Sequence, residues 1–319
     1  MEFEGKNVDQ AVFKAAQELG RAPEDLEYVV LERRPRPIPG VHPLAAAGVP
    51  LKGVVGCFLS NELLDSFPVH RIAVQGGRLQ EVYVTWQEGF REVLGPPSTP
   101  LLEQYLEEEG VALPEGYRTE INLEAGRWQE GVAGALERGF VITIDYGYAP
   151  GEYFSPAHSQ GTLLCYYRHT YHQDPYVRVG EQDITAHVDF GSLIRAGERA
   201  GLSNLGLVPQ ARFLNNLGLG YLRERLARAG LSQREYLANS LALGQLVKPG
   251  GLGDFLVLLQ GQGIPEIDLW GLKPSPESRE FLESLPLPLL TPQHLSLLEA
   301  RYPHMLSLPD ALAGGYPDS

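Results

Sequence analysis

The feature that most constrains this chain is a set of short apolar runs, each closed by an acid. Glu27-Tyr-Val-Val-Leu31 is followed by Glu32. Gly53-Val-Val-Gly-Cys-Phe-Leu59 is followed by Ser60, Asn61 and Glu62. Gly139-Phe-Val-Ile-Thr-Ile144 is followed by Asp145. Continuous apolar runs of four to eight residues fit strands buried on both faces, as in a parallel sheet beneath helices. Helical spacing lies between some of them. Val8 to Leu19 is ended by Gly20, and Arg127 to Arg138 predicts a helix with Gly139 at its end. The expectation is an α/β fold: a doubly wound sheet with helices on both faces. The 319 residues suffice for one large domain or two modest ones.

Between Asp65 and Gly126 the texture changes. Two strands meeting at Gly76-Gly77 signal a hairpin. A Pro-containing stretch, Gly95 to Pro100, and an acidic helix, Leu101 to Gly110, follow. We read residues 68–126 as an insertion over one edge of the sheet, between two parts of the core, 1–67 and 127–260. A polar, aromatic segment runs from Asp145 to about His187. Helices are expected from Phe190 to Gly201 and, interrupted at Gly230, from Leu222 to Leu246; Phe255 to Leu259 reads as a last strand. The Pro- and Leu-rich tail, 261–319, predicts short helices.

Charge and composition exclude several classes. The 26 Lys+Arg against 40 Asp+Glu, a net charge of −14, leave no surplus of cations for a general nucleic-acid binder. No apolar run reaches the roughly 18 residues of a membrane span. The start, MEFEGKNVDQ, lacks the layout of a signal peptide. Two cysteines, Cys57 and Cys165, make no disulfide framework, so a reducing cytoplasm is expected. His169, His172, Asp183, His187 and Asp189 are metal-ligand types, but no HExxH or clear helix organises them, and we expect no metal. No GxSxG supports a serine hydrolase.

In an open α/β sheet, ligands sit beyond the carboxyl ends of the strands, where Glu32, Glu62 and Asp145 would emerge. A carboxylate after a second strand can accept hydrogen bonds from both ribose hydroxyls, which suits Glu32; a plain surface acid fits the pattern equally. If Asn61 to Ser66 forms a helical turn, Glu62 and Asp65 share a face and match the fork of a guanidinium. The simpler reading, acids favoured at a helix N-terminus, is the stronger on spacing alone.

The run Ser60-Asn-Glu-Leu-Leu-Asp-Ser-Phe-Pro-Val-His-Arg71 joins Ile144-Asp-Tyr-Gly147, Gly161-Thr-Leu163 and Gly180-Glu-Gln-Asp-Ile-Thr-Ala-His-Val-Asp-Phe190. Together, in this order, they resemble the MidA family of class I S-adenosylmethionine-dependent methyltransferases. The similarity runs from about Leu26 to Leu259 and includes Gln245 to Phe255. Its mitochondrial members methylate arginine on a respiratory complex I subunit during assembly. The resemblance implies a Rossmann-like class I methyltransferase sheet with S-adenosylmethionine as cofactor and a protein as acceptor, with no nucleic acid or membrane partner and room for a homodimer. By position it implies that Gly5, Glu32, Asn61 and Asp145 contact cofactor, and that Asn61, Glu62 and Asp65 border the transferring methyl group and hold an acceptor guanidinium. It also places Tyr146, Gly147, Asp183, His187 and Asp189, with Thr185, on the acceptor side.

The family's glycine-rich loop, E-x-G-x-G-x-G, keeps only Gly5 here, with Lys6 and Asn7 where side chains crowd the cofactor's approach. The N-terminal part of the fold is therefore expected to be truncated or degenerate. Two functions follow: a methyltransferase acting on protein arginine, or a non-catalytic relative that keeps the fold as a binding or assembly module. A nucleotide-binding oxidoreductase is disfavoured by the missing GxGxxG.

Overall fold

The computed structural model describes residues 49–167, 170–265 and 267–290. The expected helix at Val8 to Leu19, the run ending at Glu32, Gly5 and the tail beyond 290 lie outside them.

The described residues open on β1 (Val54–Asn61), followed by a single 3-10 turn (Leu64–Ser66). Then come β2 (His70–Gln75), β3 (Arg78–Trp86), β4 (Phe90–Gly95), helix α1 (Leu101–Glu109) and β5 (Arg118–Ile121). These four strands form one antiparallel sheet in the order β4-β3-β2-β5. The predicted hairpin is present: β2 and β3 pair from Ile72↔Glu81 to Gln75↔Arg78. Gly76 and Gly77 between them have φ of 61° and 68°, the doubly left-handed turn whose twist matches paired strands. Glu115 accepts both of their N–H groups at 2.9 Å. One face of this sheet packs on α1 through Ile72, Ile121, Leu102 and Leu106. Each such buried aliphatic side chain contributes roughly 1.5–3 kcal/mol. Helix α1 ends as expected at Gly110, in a left-handed cap.

Helix α2 (Leu123–Ala135) leads into β6 (Leu136–Asp145). The helix lies earlier than its periodicity predicts, because Asn122 caps it by accepting the Ala125 N–H at 2.9 Å. Its end is set by Leu136 turning extended, and Gly139 falls inside the strand rather than at the helix terminus.

The polar segment after Asp145 folds into short strands. They are β7 (Gly147–Tyr148), β8 (Leu164–Tyr167), β9 (Thr170–His172), β10 (Asp183–Thr185) and β11 (Val188–Asp189). Strands β10-β8-β9 make a three-stranded antiparallel sheet, and β7 pairs in parallel with β11. Helix α3 (Phe190–Arg199) follows, as predicted. Next come β12 (Ser203–Pro209), α4 (Gln210–Leu217), α5 (Leu219–Ala227), α6 (Gln233–Leu246), β13 (Leu256–Gln262) and α7 (Glu277–Ser284). Strand β12 escaped the sequence reading because Ser203-Asn-Leu-Gly206 carries neither strand propensity nor alternation.

The central sheet has the order β1-β6-β13-β12. Both predicted runs among the described residues are strands, but β1 is not buried on both faces: Val55 is 58% and Leu59 67% exposed. Among the described residues it stands at the end of the strand order and pairs with β6.

The chain separates into two compact units. The described residues of the first are 49–141, 145–204 and 260–263; those of the second are 142–144, 205–259 and 264–290. The hairpin region thus belongs to the same unit as β1 and the segment after Asp145. In the second unit, Val208, Val257 and Leu259 form a core with Ile142, Ile144 and Phe213.

Candidate functional site

The site lies wholly within the first unit, where the end of β1 meets the end of β6. Asp145 closes β6 and is 0% exposed. Its Oδ2 accepts the backbone N–H groups of Leu63, Leu64 and Asp65 at 3.2, 3.0 and 3.3 Å, and its Oδ1 accepts that of Tyr146 at 2.9 Å. A carboxylate is what the chain needs there, since the exposed donors of a turn's start converge on it. Burial, then the charge of Asp65, push Asp145 up to about 7 against the pull of those N–H groups. Asp145 was expected to contact cofactor. In the structure it fixes the turn after β1 to the end of β6, and neither of its oxygens meets solvent.

The turn it holds presents Asn61, Glu62 and Asp65. Asn61 and Glu62 are exposed, and the Asn61 amide donates to Glu62 Oε1 at 3.1 Å. Glu62 has φ of 47°, a left-handed conformation that costs a non-glycine residue about 1 kcal/mol. Asp65 is 4% exposed. The Tyr146 hydroxyl donates to its Oδ2 at 2.6 Å, while its Oδ1 is buried without a hydrogen-bond partner. Burial raises the Asp65 carboxyl above its ordinary value; the Tyr146 hydrogen bond opposes this and Glu62 reinforces it. Burial and the bond to Asp65 also push the Tyr146 phenol upward, so it stays a donor. The expected helical turn is present only as 3-10 geometry at Leu64–Ser66. It buries Asp65 and leaves Glu62 outside.

Around this pair stands an aromatic wall. His187 donates its backbone N–H to Thr162 Oγ1 at 3.2 Å, and its Nδ1 lies 3.2 Å from the Thr162 carbonyl oxygen. A carbonyl only accepts, so Nδ1 carries the proton and Nε2 keeps its lone pair. Burial lowers the His187 pKa, which favours this neutral form. Its ring stacks on Tyr148, centroids 5.2 Å apart and 14° between planes, and meets Tyr146 edge-on at 5.1 Å. Tyr148 continues to His158 at 3.9 Å. Gly147 supplies no wall of its own: a Cβ there would lie 2.0 Å from the Val188 carbonyl oxygen, so glycine lets β7 and β11 pair. Asp189 is the N-cap of α3. Its Oδ1 accepts from Gly191 and Ser192, and its Oδ2 takes the Tyr105 hydroxyl at 2.8 Å. Asp183 is exposed on β10, and Thr185 is buried on the same strand.

The site also includes Tyr166 on β8, which sequence reading passed over. Its phenol is raised by burial, then by the charge of Asp65, with Tyr171 and Glu62 adding to it. No motif marked it, because its place beside the carboxylates comes from strand pairing. Among the described residues, no group of three or more His, Cys, Asp or Glu side chains is arranged to hold a metal ion, and no helix is long and apolar enough to cross a membrane.

Known proteins resemble this chain. The family model described as "putative S-adenosyl-L-methionine-dependent methyltransferase" matches residues 42–208. A different model, the Jag N-terminus, matches residues 3–36. Gly5 and Glu32 therefore lie outside both the described residues and the methyltransferase match. A protein of Drosophila melanogaster named protein arginine methyltransferase NDUFAF7 homolog, mitochondrial, is 30% identical over 220 residues, covering 64% of this chain and 47% of that protein. A crystal structure of a Burkholderia thailandensis protein bound to S-adenosyl-homocysteine superposes with a TM-score of 0.63 at 33% identity, covering 69% of this chain and 57% of that one. A native structure from the same organism gives 0.62 at 34% identity, covering 69% and 58%. The chain thus spans about half the length of the curated relative it matches. With the methyltransferase match running through β1, the turn that carries Asn61, Glu62 and Asp65, and the segment to β12, this chain belongs to that family of S-adenosyl-L-methionine-dependent methyltransferases.

Proposed function

We propose that this protein transfers a methyl group from S-adenosylmethionine to a guanidinium nitrogen of an arginine on a protein acceptor. The observation that carries the reading is Asp65: a carboxylate 4% exposed, one oxygen held by Tyr146 and the other without a partner, beside exposed Glu62. A buried carboxylate oxygen left open is costly unless a donor arrives to fill it. A guanidinium presents planar N–H groups that match two carboxylates at once. The printed name of the Drosophila relative, an arginine methyltransferase, agrees with that acceptor.

When bound, S-adenosylmethionine supplies an electrophilic methyl group. Asn61 and Glu62, exposed at the end of β1, are the described residues that would border it. The work of the chain is alignment and charge. Asp65 Oδ1 and Glu62 fix one guanidinium nitrogen on the line of transfer. On transfer the methyl–sulfur bond of the cofactor would break as the N–C bond formed, the sulfur leaving as the neutral thioether of S-adenosylhomocysteine, and Asp65 would receive the proton the nitrogen gives up. A carboxyl raised by burial is a better acceptor for that proton than a solvated one. Tyr146 keeps Asp65 in a single orientation throughout.

The test has two arms. Calorimetric titration with S-adenosylmethionine should give heat and a rise in melting temperature. D65N, whose carbonyl oxygen still accepts from Tyr146, should retain cofactor binding while methyl transfer falls at least ~100-fold. Unchanged transfer by D65N would remove the role given to this residue.

A second reading is a non-catalytic binding or assembly module. It is favoured by the match of residues 3–36 to the Jag N-terminus rather than to a methyltransferase. Absence of both heat and thermal shift at saturating cofactor would decide for it.

A further inference from the structure

We propose that Tyr166 and Tyr171, with Asp183, form a platform that docks the arginine-bearing segment of a basic protein acceptor next to Asp65. The proposal rests on the arginine reading above and deepens it by naming the surface that selects the substrate.

The sheet β10-β8-β9 sets these residues in one row. Tyr166 lies opposite Asp183 on one side and Tyr171 on the other. Directly paired residues in an antiparallel sheet point to the same face, so all three share one surface. The tyrosine rings are 6.3 Å apart at 49°. Tyr171 is 71% and Tyr166 37% exposed, a large aromatic area in water. Two residues along the same face, Thr185 pairs with Leu164. Ala186, the next residue, donates its N–H to the Asp65 carbonyl oxygen at 2.9 Å. The row is thereby joined to the turn whose buried Asp65 Oδ1 has no partner.

The chemistry of this surface favours one kind of occupant. Carboxylates at Asp183, Glu62 and Asp65 attract cations, and aromatic faces accept a guanidinium by stacking. The same strand already does so within the chain. Successive residues of a strand point to opposite faces, and on the other face the Arg178 guanidinium carbon sits 4.5 Å from the centre of the Tyr167 ring. A net charge of −14 draws a basic partner toward the whole molecule.

The probe is a synthetic 15-residue peptide with one arginine and two lysines among glycine and serine, titrated into the full chain without cofactor. We expect saturable binding, with about a tenfold rise in Kd for Y166A/Y171A and for Y171A alone a rise of at least threefold. Y166F/Y171F should stay within about twofold of the parent, since the rings remain, and a citrulline-for-arginine peptide should bind about tenfold more weakly. Y171A alters a side chain already in solvent, so its folding is not at issue. No binding by the parent, equal binding by the alanine variants, or equal binding of the citrulline peptide would each overturn the platform. Failure of the methyltransferase reading registers separately, as absent heat with S-adenosylmethionine, and leaves the peptide result intact.

Discussion

Asp145 and Asp65 divide two roles between neighbouring carboxyls. Asp145 is satisfied from four backbone N–H groups and holds geometry; Asp65 has one oxygen held and one open. The pH dependence follows from the sign of the Asp145 shift. Its folded value, about 7, lies above its value of 3.8 when unperturbed, so the folded state binds more protons between these limits. Stability through this group therefore falls as pH rises from about 4 to 7. We expect D145N, still able to accept hydrogen bonds, to flatten the dependence of the melting temperature on pH between 5 and 8. An unchanged slope would show that Asp145 is ionised throughout. Y146F should cost roughly 1–3 kcal/mol in chemical denaturation, because it leaves a second oxygen of buried Asp65 without a donor. Asp65 was legible as an acid beside Glu62. That it alone of the pair is buried was not, because burial is set by Tyr146 and β10, 81 and more residues away.

At the scale of elements, short contacts decide what longer patterns leave open. Strands β7 and β11 are two residues each, and they pair because Gly147 lets the Val188 carbonyl approach. G147A should break that pairing and displace Tyr146 and His187 together. We expect a loss of stability of at least ~2 kcal/mol by denaturant titration, with the near-ultraviolet tyrosine signal reduced. D189A tests a different element. It removes the cap of α3 and the partner of the half-buried Tyr105 hydroxyl, for a combined cost of about 2–4 kcal/mol. Asn at this position keeps the cap and should recover part of it. The hairpin at Gly76-Gly77, helix α1 and helix α3 were all legible, since each rests on local turn chemistry or periodicity. Strand β12 and the five short strands after Asp145 were not, because two to seven residues of mixed polarity become strands only when a neighbour offers its edge.

For the whole molecule, charge is the property that reaches furthest. An acidic chain should bind a basic acceptor with strong salt dependence. Raising sodium chloride from 50 to 500 mM is expected to raise the Kd of the arginine peptide about tenfold or more, with less change for an uncharged peptide. Equal sensitivity of both would point to apolar contact as the dominant attraction. The sequence by itself determined the α/β class, three of the four central strands, the hairpin, and the acids at the ends of two of them. Those follow from apolar runs, turn residues and spacing, which act over a few neighbours. Only the tertiary structure decided that Asp145 is a brace, that Asp189 is a cap, and that Tyr166 stands beside the carboxylates. The brace needs the turn after β1, the second partner of Asp189 is Tyr105, and Tyr166 is placed by strand edges; these arrive from distant parts of the chain, and local sequence carries no record of their arrival.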